Sequence, residues 1–151
     1  MHTVETVVSF EAAHRLYDVA TYSEECRDNI HGHSYKVKVV VGREKLNDAG
    51  MVVDFKLLKK LIREEIEDKY DHSCILRTID PLATPIRENC KKVILVSDNP
   101  TAEWMAEEFW FRLTGKLLDD LDSELKVLSV SVQETENNIA TYSVGGKCKC
   151  E

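Results

Sequence analysis

The 151-residue sequence has no surplus of positive charge: 20 Lys and Arg stand against 27 Asp and Glu, for a net charge of -7. A nucleic-acid backbone is bound by clustered cations that displace its counterions. The runs present here, Lys59-Lys60 and Arg63-Glu64-Glu65, mix signs as a solvated helix face does, so no nucleic-acid partner is expected. No apolar run approaches the roughly 18 residues that span a bilayer. The opening Met1-His2-Thr3-Val4-Glu5 lacks a basic region followed by an apolar one. Neither a membrane nor a signal peptide is expected, and the expected compartment is the cytoplasm. The cysteines are five, an odd number at irregular spacing, which reads as free thiols rather than a disulfide framework. Cys148-Lys149-Cys150 is too closely spaced for a Cys-x-x-Cys site and reads as incidental surface thiols in a frayed tail. With no repeat, low-complexity segment, composition break or nucleotide loop, the chain is expected to form a single domain over residues 1–151, long enough to bury a core without staples.

What the sequence does have is a concentration of metal ligands. In Asn29-Ile30-His31-Gly32-His33-Ser34-Tyr35 two imidazoles stand two residues apart, and on a strand such residues share a face. A catalytic zinc takes three protein ligands and keeps one position open. His14, in Phe10-Glu11-Ala12-Ala13-His14, is the third candidate. Cys26, five residues before His31, is either a fourth ligand or a nearby base. A bare His-x-His is commonly only a pair of exposed residues; the third His and the Cys weigh against that here.

Along the chain, residues 3–10 alternate as a strand that delivers His14 just beyond its end. Residues 16–29 have no period and read as a loop carrying Cys26. A second strand covers residues 34–42, and after the turn formers of 43–50 the short strand 51–53 returns as a hairpin. Asp54 is placed to cap a helix ending near Lys69, with Phe55, Leu58, Leu61, Ile62 and Ile66 as its apolar stripe. Residues 73–98 read as an irregular connection, broken by Pro81 and Pro85, with one short apolar strand at 92–96. Pro100 suits the first position of a second helix, whose stripe is Ala102, Met105, Ala106, Phe109, Leu113 and Leu117. Two strands, 126–134 and 139–144, close the chain. The expectation is an α+β fold: a four-stranded antiparallel sheet with two helices packed on one face.

Two further features bear on chemistry. Glu134 continues the apolar row Leu128, Val130, Val132, where a carboxylate is costly to bury unpaired. Either the strand surfaces there or the carboxylate awaits a ligand. Asp71-His72 follows the first helix and is either a helix-terminal pair or a relay in which Asp71 fixes the imidazole tautomer.

Taken together, Phe10-Glu11-Ala12-Ala13-His14, Cys26 before His31-Gly32-His33, Gly50-Met51-Val52-Val53-Asp54-Phe55, Asp71-His72, Asn99-Pro100-Thr101-Ala102-Glu103, and Glu134-Thr135 with Asn137-Asn138 resemble, in order, the 6-pyruvoyl-tetrahydropterin synthase and 6-carboxytetrahydropterin synthase family. The resemblance implies a tunnelling fold and a homo-hexamer with active sites between subunits. It implies His14, His31 and His33 as zinc ligands, Cys26 as the base, and Asp71 and His72 as a relay from a neighbouring subunit. It also implies Glu134 as the anchor of the pterin ring, with Thr101 and Glu103 lining the pocket. The implied activity is a zinc-dependent lyase converting 7,8-dihydroneopterin triphosphate to 6-carboxy-5,6,7,8-tetrahydropterin, on the path to 7-deazaguanine (queuosine-type) nucleosides. Arg15 and Arg27 are candidate partners for the triphosphate. Alternatives are a 6-pyruvoyl-tetrahydropterin synthase, an aldolase-like cleavage to 6-hydroxymethyl-dihydropterin, or a non-catalytic pterin-binding oligomer stabilised by zinc. Four residues separate Cys26 from His31, where the compared carboxytetrahydropterin synthases usually have three and animal-type pyruvoyl synthases five, so the spacing leaves the branch open.

Overall fold

Alternating β-branched and polar residues carry the chain through two long strands, β1 (His2–His14) and β2 (His31–Arg43), which pair antiparallel from His2 opposite Arg43 to His14 opposite His31. The computed structural model describes residues 1–20 and 23–144; Cys148 and Cys150 lie outside them. Both strands run further than the alternation indicated. His14 is the last residue of β1 rather than beyond it, and β2 begins at His31 rather than Ser34. Val8, Phe10, Ala12, Tyr35, Val37, Val39 and Val41 are buried on one face, while Ser9, Glu11, Lys36 and Lys38 are exposed on the other, as the two-residue period requires.

The hairpin expected between residues 34–42 and 51–53 does not form. The partners of β2 are β1 and β5 (Lys126–Gln133), and residues 51–53 carry no strand. The Asn47 side chain instead accepts from the amides of Ala49 and Met51, and Gly50 turns the chain at φ 73°. Val52 and Val53 are buried by packing, and the Val52 carbonyl accepts from the Arg43 guanidinium at 3.3 Å instead of from a neighbouring strand.

Asp54 caps α2 (Phe55–Ile62) by accepting from the amides of Lys56 and Leu57. The helix continues through a π-helical turn (Arg63–Glu67) into α3 (Asp68–Tyr70). Leu58, Leu61, Ile62 and Ile66 are buried, but Phe55, expected on the same stripe, is 58% exposed. α5 (Ala102–Asp120) is capped by Thr101, whose hydroxyl accepts from the Trp104 amide at 3.2 Å. Pro100 therefore precedes the cap and is not the first helical residue. Met105, Ala106, Phe109, Leu113 and Leu117 are fully buried. α2 packs on β1, and α5 on β5 and β6 (Ile139–Ser143), so both helices cover the same sheet face. There Phe10 stacks on Tyr35 at 5.0 Å and Phe109 meets Tyr70 edge-on at 4.8 Å. Each large side chain buried in this way contributes about 1.5–3 kcal/mol before the entropy of ordering it is subtracted.

The largest correction concerns residues 73–98, which are built rather than irregular. β3 (Ser73–Arg77) runs parallel to the end of β1, with Ala12, Ala13 and His14 beside Ser73, Cys74 and Ile75. β4 (Val93–Val96) runs parallel to β3. Between them α4 (Ala83–Asn89) holds Pro85 in its first turn, where a missing amide hydrogen costs little. The sheet is therefore six-stranded and mixed, in the order β4-β3-β1-β2-β5-β6, not four-stranded and antiparallel. No helix among the described residues is long and apolar enough to cross a membrane.

Candidate metal centre

Strand register builds the site. His14 and His31 are direct cross-strand partners and His33 lies opposite Ala12, so all three imidazoles project from the helix-covered face at one end of the β1–β2 pair. Their ring centroids lie 4.6, 5.1 and 5.0 Å apart in the pairs 14–31, 14–33 and 31–33. One ligand atom from each falls within 4.8 Å of the other two, so the three could hold a metal ion.

Hydrogen bonds to carbonyls fix two tautomers. His14 Nδ1 lies 2.7 Å from the Pro100 carbonyl oxygen and His31 Nδ1 lies 3.1 Å from that of Asn29. A carbonyl only accepts, so each Nδ1 carries the hydrogen and each Nε2 presents a lone pair. Those two Nε2 atoms face each other at 3.1 Å, an arrangement that a cation between them resolves. His33 Nε2 is buried without a hydrogen-bond partner. Burial lowers the His14 pKa from 6.5 to about 4 and, as the first cause, also lowers that of His33. Both rings are thus held neutral, the form that ligates metal. Three clustered imidazoles, two of them oriented by backbone carbonyls, suit zinc and related transition ions.

The other candidate residues take different positions. Cys26 lies on α1 (Glu24–Asp28), a short helix inside the expected loop. Its amide donates to the capping Ser23 hydroxyl, and its carbonyl accepts from Leu16, two residues past His14. Cys26 is half-buried, and its thiol is not in the group of mutually close ligand atoms. Asp71 Oδ1 accepts from the Glu11 amide at 2.9 Å. Its other oxygen is 3.6 Å from His72 Nε2, too long for a hydrogen bond. The His72 side chain is 83% exposed on a residue with φ 56°. It shares an open cleft of about 310 Å³ with Glu11, Gly32, Ser34 and His33; Glu11 and Ser34 leave the strands on the face opposite the imidazoles. Neither Asp71 nor His72 belongs to the group of clustered ligand atoms.

Glu134 does reach it. β5 ends at Gln133, one residue before the expected end, and Glu134 opens the turn to β6 with its carboxylate Oε1 3.5 Å from His14 Nε2 and 3.8 Å from His33 Nε2. On its other side is a cleft of about 450 Å³ lined by Glu103, Asn137, Asn138 and Ile139. Thr101 is the helix cap beside this cleft. Arg15 is paired with buried Asp80 at 2.9 Å, and Arg27 with Asp28 at 2.8 Å; both arginines line a separate cleft with Tyr17 and Asp18.

The sequence reading missed the carbonyls of Pro100 and Asn29, which carry no residue-type signal. Asn99 figures in the sequence only as part of a motif; its side chain accepts from the Tyr17 amide and donates to the Tyr17 carbonyl, tying the segment after His14 to the start of α5.

The family described as 6-pyruvoyl tetrahydropterin synthase matches residues 3–144. The chain belongs to this family. The matched span of this tetrahydropterin synthase family member contains every candidate residue above. The chain is 33% identical over 150 residues to the 6-carboxy-5,6,7,8-tetrahydropterin synthase of Aquifex aeolicus, covering 88% of this chain and 92% of that protein. It is 32% identical over 132 residues to the synthase of the same name from Rickettsia conorii, covering 86% and 91%. The structure of Caenorhabditis elegans 6-pyruvoyl tetrahydropterin synthase is similar with a TM-score of 0.66 at 29% identity, over 94% of each chain.

Proposed function

We propose that the protein is a zinc-dependent pterin lyase that converts 7,8-dihydroneopterin triphosphate to 6-carboxy-5,6,7,8-tetrahydropterin, supplying 7-deazaguanine nucleoside synthesis in the cytoplasm. The observation that carries the metal reading is the pair of Nε2 lone pairs of His14 and His31 converging at 3.1 Å with both Nδ1 hydrogens committed to carbonyls. The names of the Aquifex and Rickettsia relatives support the choice of reaction. Zinc held by His14, His31 and His33 supplies a Lewis acid for the hydroxyls of the pterin side chain.

The remaining roles belong to the chain. Glu134 receives the two adjacent N–H donors of the pterin's amino-pyrimidine edge, beside Thr101 and Glu103. Cys26 moves the proton. Asp71 and His72 serve a neighbouring subunit's site within a homo-hexamer, a reading favoured by the exposure of the His72 side chain.

One observation favours a second reading. Arg15 and Arg27 are each paired with a carboxylate, which offsets the positive charge that a triphosphate would draw on and suits cleavage of unphosphorylated dihydroneopterin to 6-hydroxymethyl-dihydropterin. Incubating the zinc-loaded protein separately with the two compounds and identifying products by mass decides between them. The 6-carboxy product from the triphosphate alone is the expected result; reaction of dihydroneopterin alone replaces the first reading by the second.

A further inference from the structure

We propose that Glu134 alternates between two partners: without pterin its carboxylate closes on the metal as a fourth protein ligand, and it leaves the metal when pterin enters. This rests on the zinc reading above. Zinc bonds to imidazole nitrogen and carboxylate oxygen of about 2.0–2.2 Å place the corners of a tetrahedron about 3.3–3.5 Å apart. The His14–His31 nitrogen separation is 3.1 Å, and Glu134 Oε1 stands 3.5 Å from His14 Nε2 and 3.8 Å from His33 Nε2. The carboxylate oxygen is thus at ligand-to-ligand distance from His14 and a few tenths of an ångström beyond it from His33.

Electrostatics points the same way. The His14 and His31 hydrogens are on Nδ1 and directed at carbonyls, so the carboxylate approaches His14 from the lone-pair side. The buried Nε2 of His33 makes no hydrogen bond, to Glu134 or to anything else described. An anion beside lone pairs in a partly dehydrated site is unfavourable without a cation, and one ion at the centre satisfies all of them. The backbone of Glu134 is held, its amide donating to the Asn138 carbonyl at 3.1 Å, so the change of partner needs side-chain rotation alone. With 24% of its side chain exposed, Glu134 also borders the cleft of Glu103 and Asn138, where the pterin is proposed to lie. Metal ligation and pterin binding then compete for one carboxylate, and by linkage each weakens the other.

The test uses the pterin-free protein, where an anchor acting on pterin alone has nothing to do. Cobalt(II) replaces zinc, and its visible absorption reports the coordination shell. Glu134→Gln is expected to change the cobalt spectrum and to weaken metal binding about tenfold or more in chelator competition, with Glu134→Asp weakened as well. Adding neopterin to the unsubstituted cobalt protein is expected to move its spectrum towards that of Glu134→Gln. Circular dichroism melts establish that the variants fold, and Glu134→Asp carries the test if the Gln variant does not. Identical cobalt spectra and affinities with and without the Glu134 substitution overturn the fourth-ligand role and leave the zinc reading standing. Failure of the unsubstituted protein to bind cobalt or zinc overturns both.

Discussion

The carbonyl oxygen of Pro100 accepts a hydrogen bond from His14 Nδ1 at 2.7 Å, joining residues 86 positions apart. The start of α5 therefore orients a candidate metal ligand at the end of β1. Any change that loosens the first turn of α5 reaches the imidazole through a single bond.

Thr101→Ala removes the side-chain cap that accepts from Trp104 and is expected to cost about 1 kcal/mol of stability. Because Pro100 immediately precedes the cap, metal affinity should fall several-fold as well. A thermal melt and chelator competition on the same preparation check both effects. A lowered melting temperature with unchanged metal affinity would separate the cap from the site.

His14→Ala, His31→Ala and His33→Ala are each expected to lose most bound zinc after dialysis, since two imidazoles leave an incomplete shell. Cys26→Ala is expected to keep its zinc and lose turnover, the thiol being outside the clustered ligand atoms. Elemental analysis beside an activity assay reads both. Zinc lost with Cys26 would favour the structural, non-catalytic alternative.

The metal-free protein should lose stability on acidification through His14. Its folded pKa is about 4 against 6.5 in the ordinary state, so between these values the unfolded chain binds more protons. Stability from this group is complete above pH 6.5 and declines as pH falls, by about 3 kcal/mol near pH 4. Urea unfolding of the metal-free protein and of His14→Gln at several pH values isolates the contribution as the difference between them. A constant difference from pH 7 to 4 would refute it.

Asp80 is buried, pairs with Arg15 and accepts from the Leu82 amide at 2.8 Å. Asp80→Ala leaves a guanidinium that is 12% exposed without its counter-charge and is expected to destabilise the protein by about 3 kcal/mol. The same melt on Asp80→Asn, which keeps the volume and part of the hydrogen bonding, should show a smaller loss. Equal stability of all three proteins would mean that Arg15 finds another partner.

The parts of the fold legible in the sequence were those with a period. The two-residue alternation through Val8, Phe10, Tyr35 and Val37 indicated both long strands, though not that they pair with each other, and Asp54 before Leu58, Leu61 and Ile62 indicated α2. Ser73–Arg77 has no such pattern, because parallel strands inside a sheet lack a fixed polar face, and Pro85 disguised the seven residues of α4. Val52 and Val53 misled in the opposite direction: they are apolar because they are packed, not because they pair. At the site, the spacing of His31 and His33 predicted a shared face, and strand register brought His14 to them. That Glu134 lies against those rings was not legible, since a strand-face argument places a carboxylate on a row and says nothing of what stands across the turn.

β3 meets β1 only at its last three residues, so among the described residues positions 2–10 of β1 have no neighbouring strand on that flank. A nine-residue edge whose alternate amides and carbonyls face outward is a template for any passing strand. If a neighbouring subunit of the proposed homo-hexamer pairs with this edge, the edge is covered by mass action, and the melting temperature should climb with protein concentration. The hazard then belongs to the newly made chain: until it meets a sister copy, its first strand is open to misassembly, so dilution and slow synthesis bear on its solubility as directly as any substitution in the core.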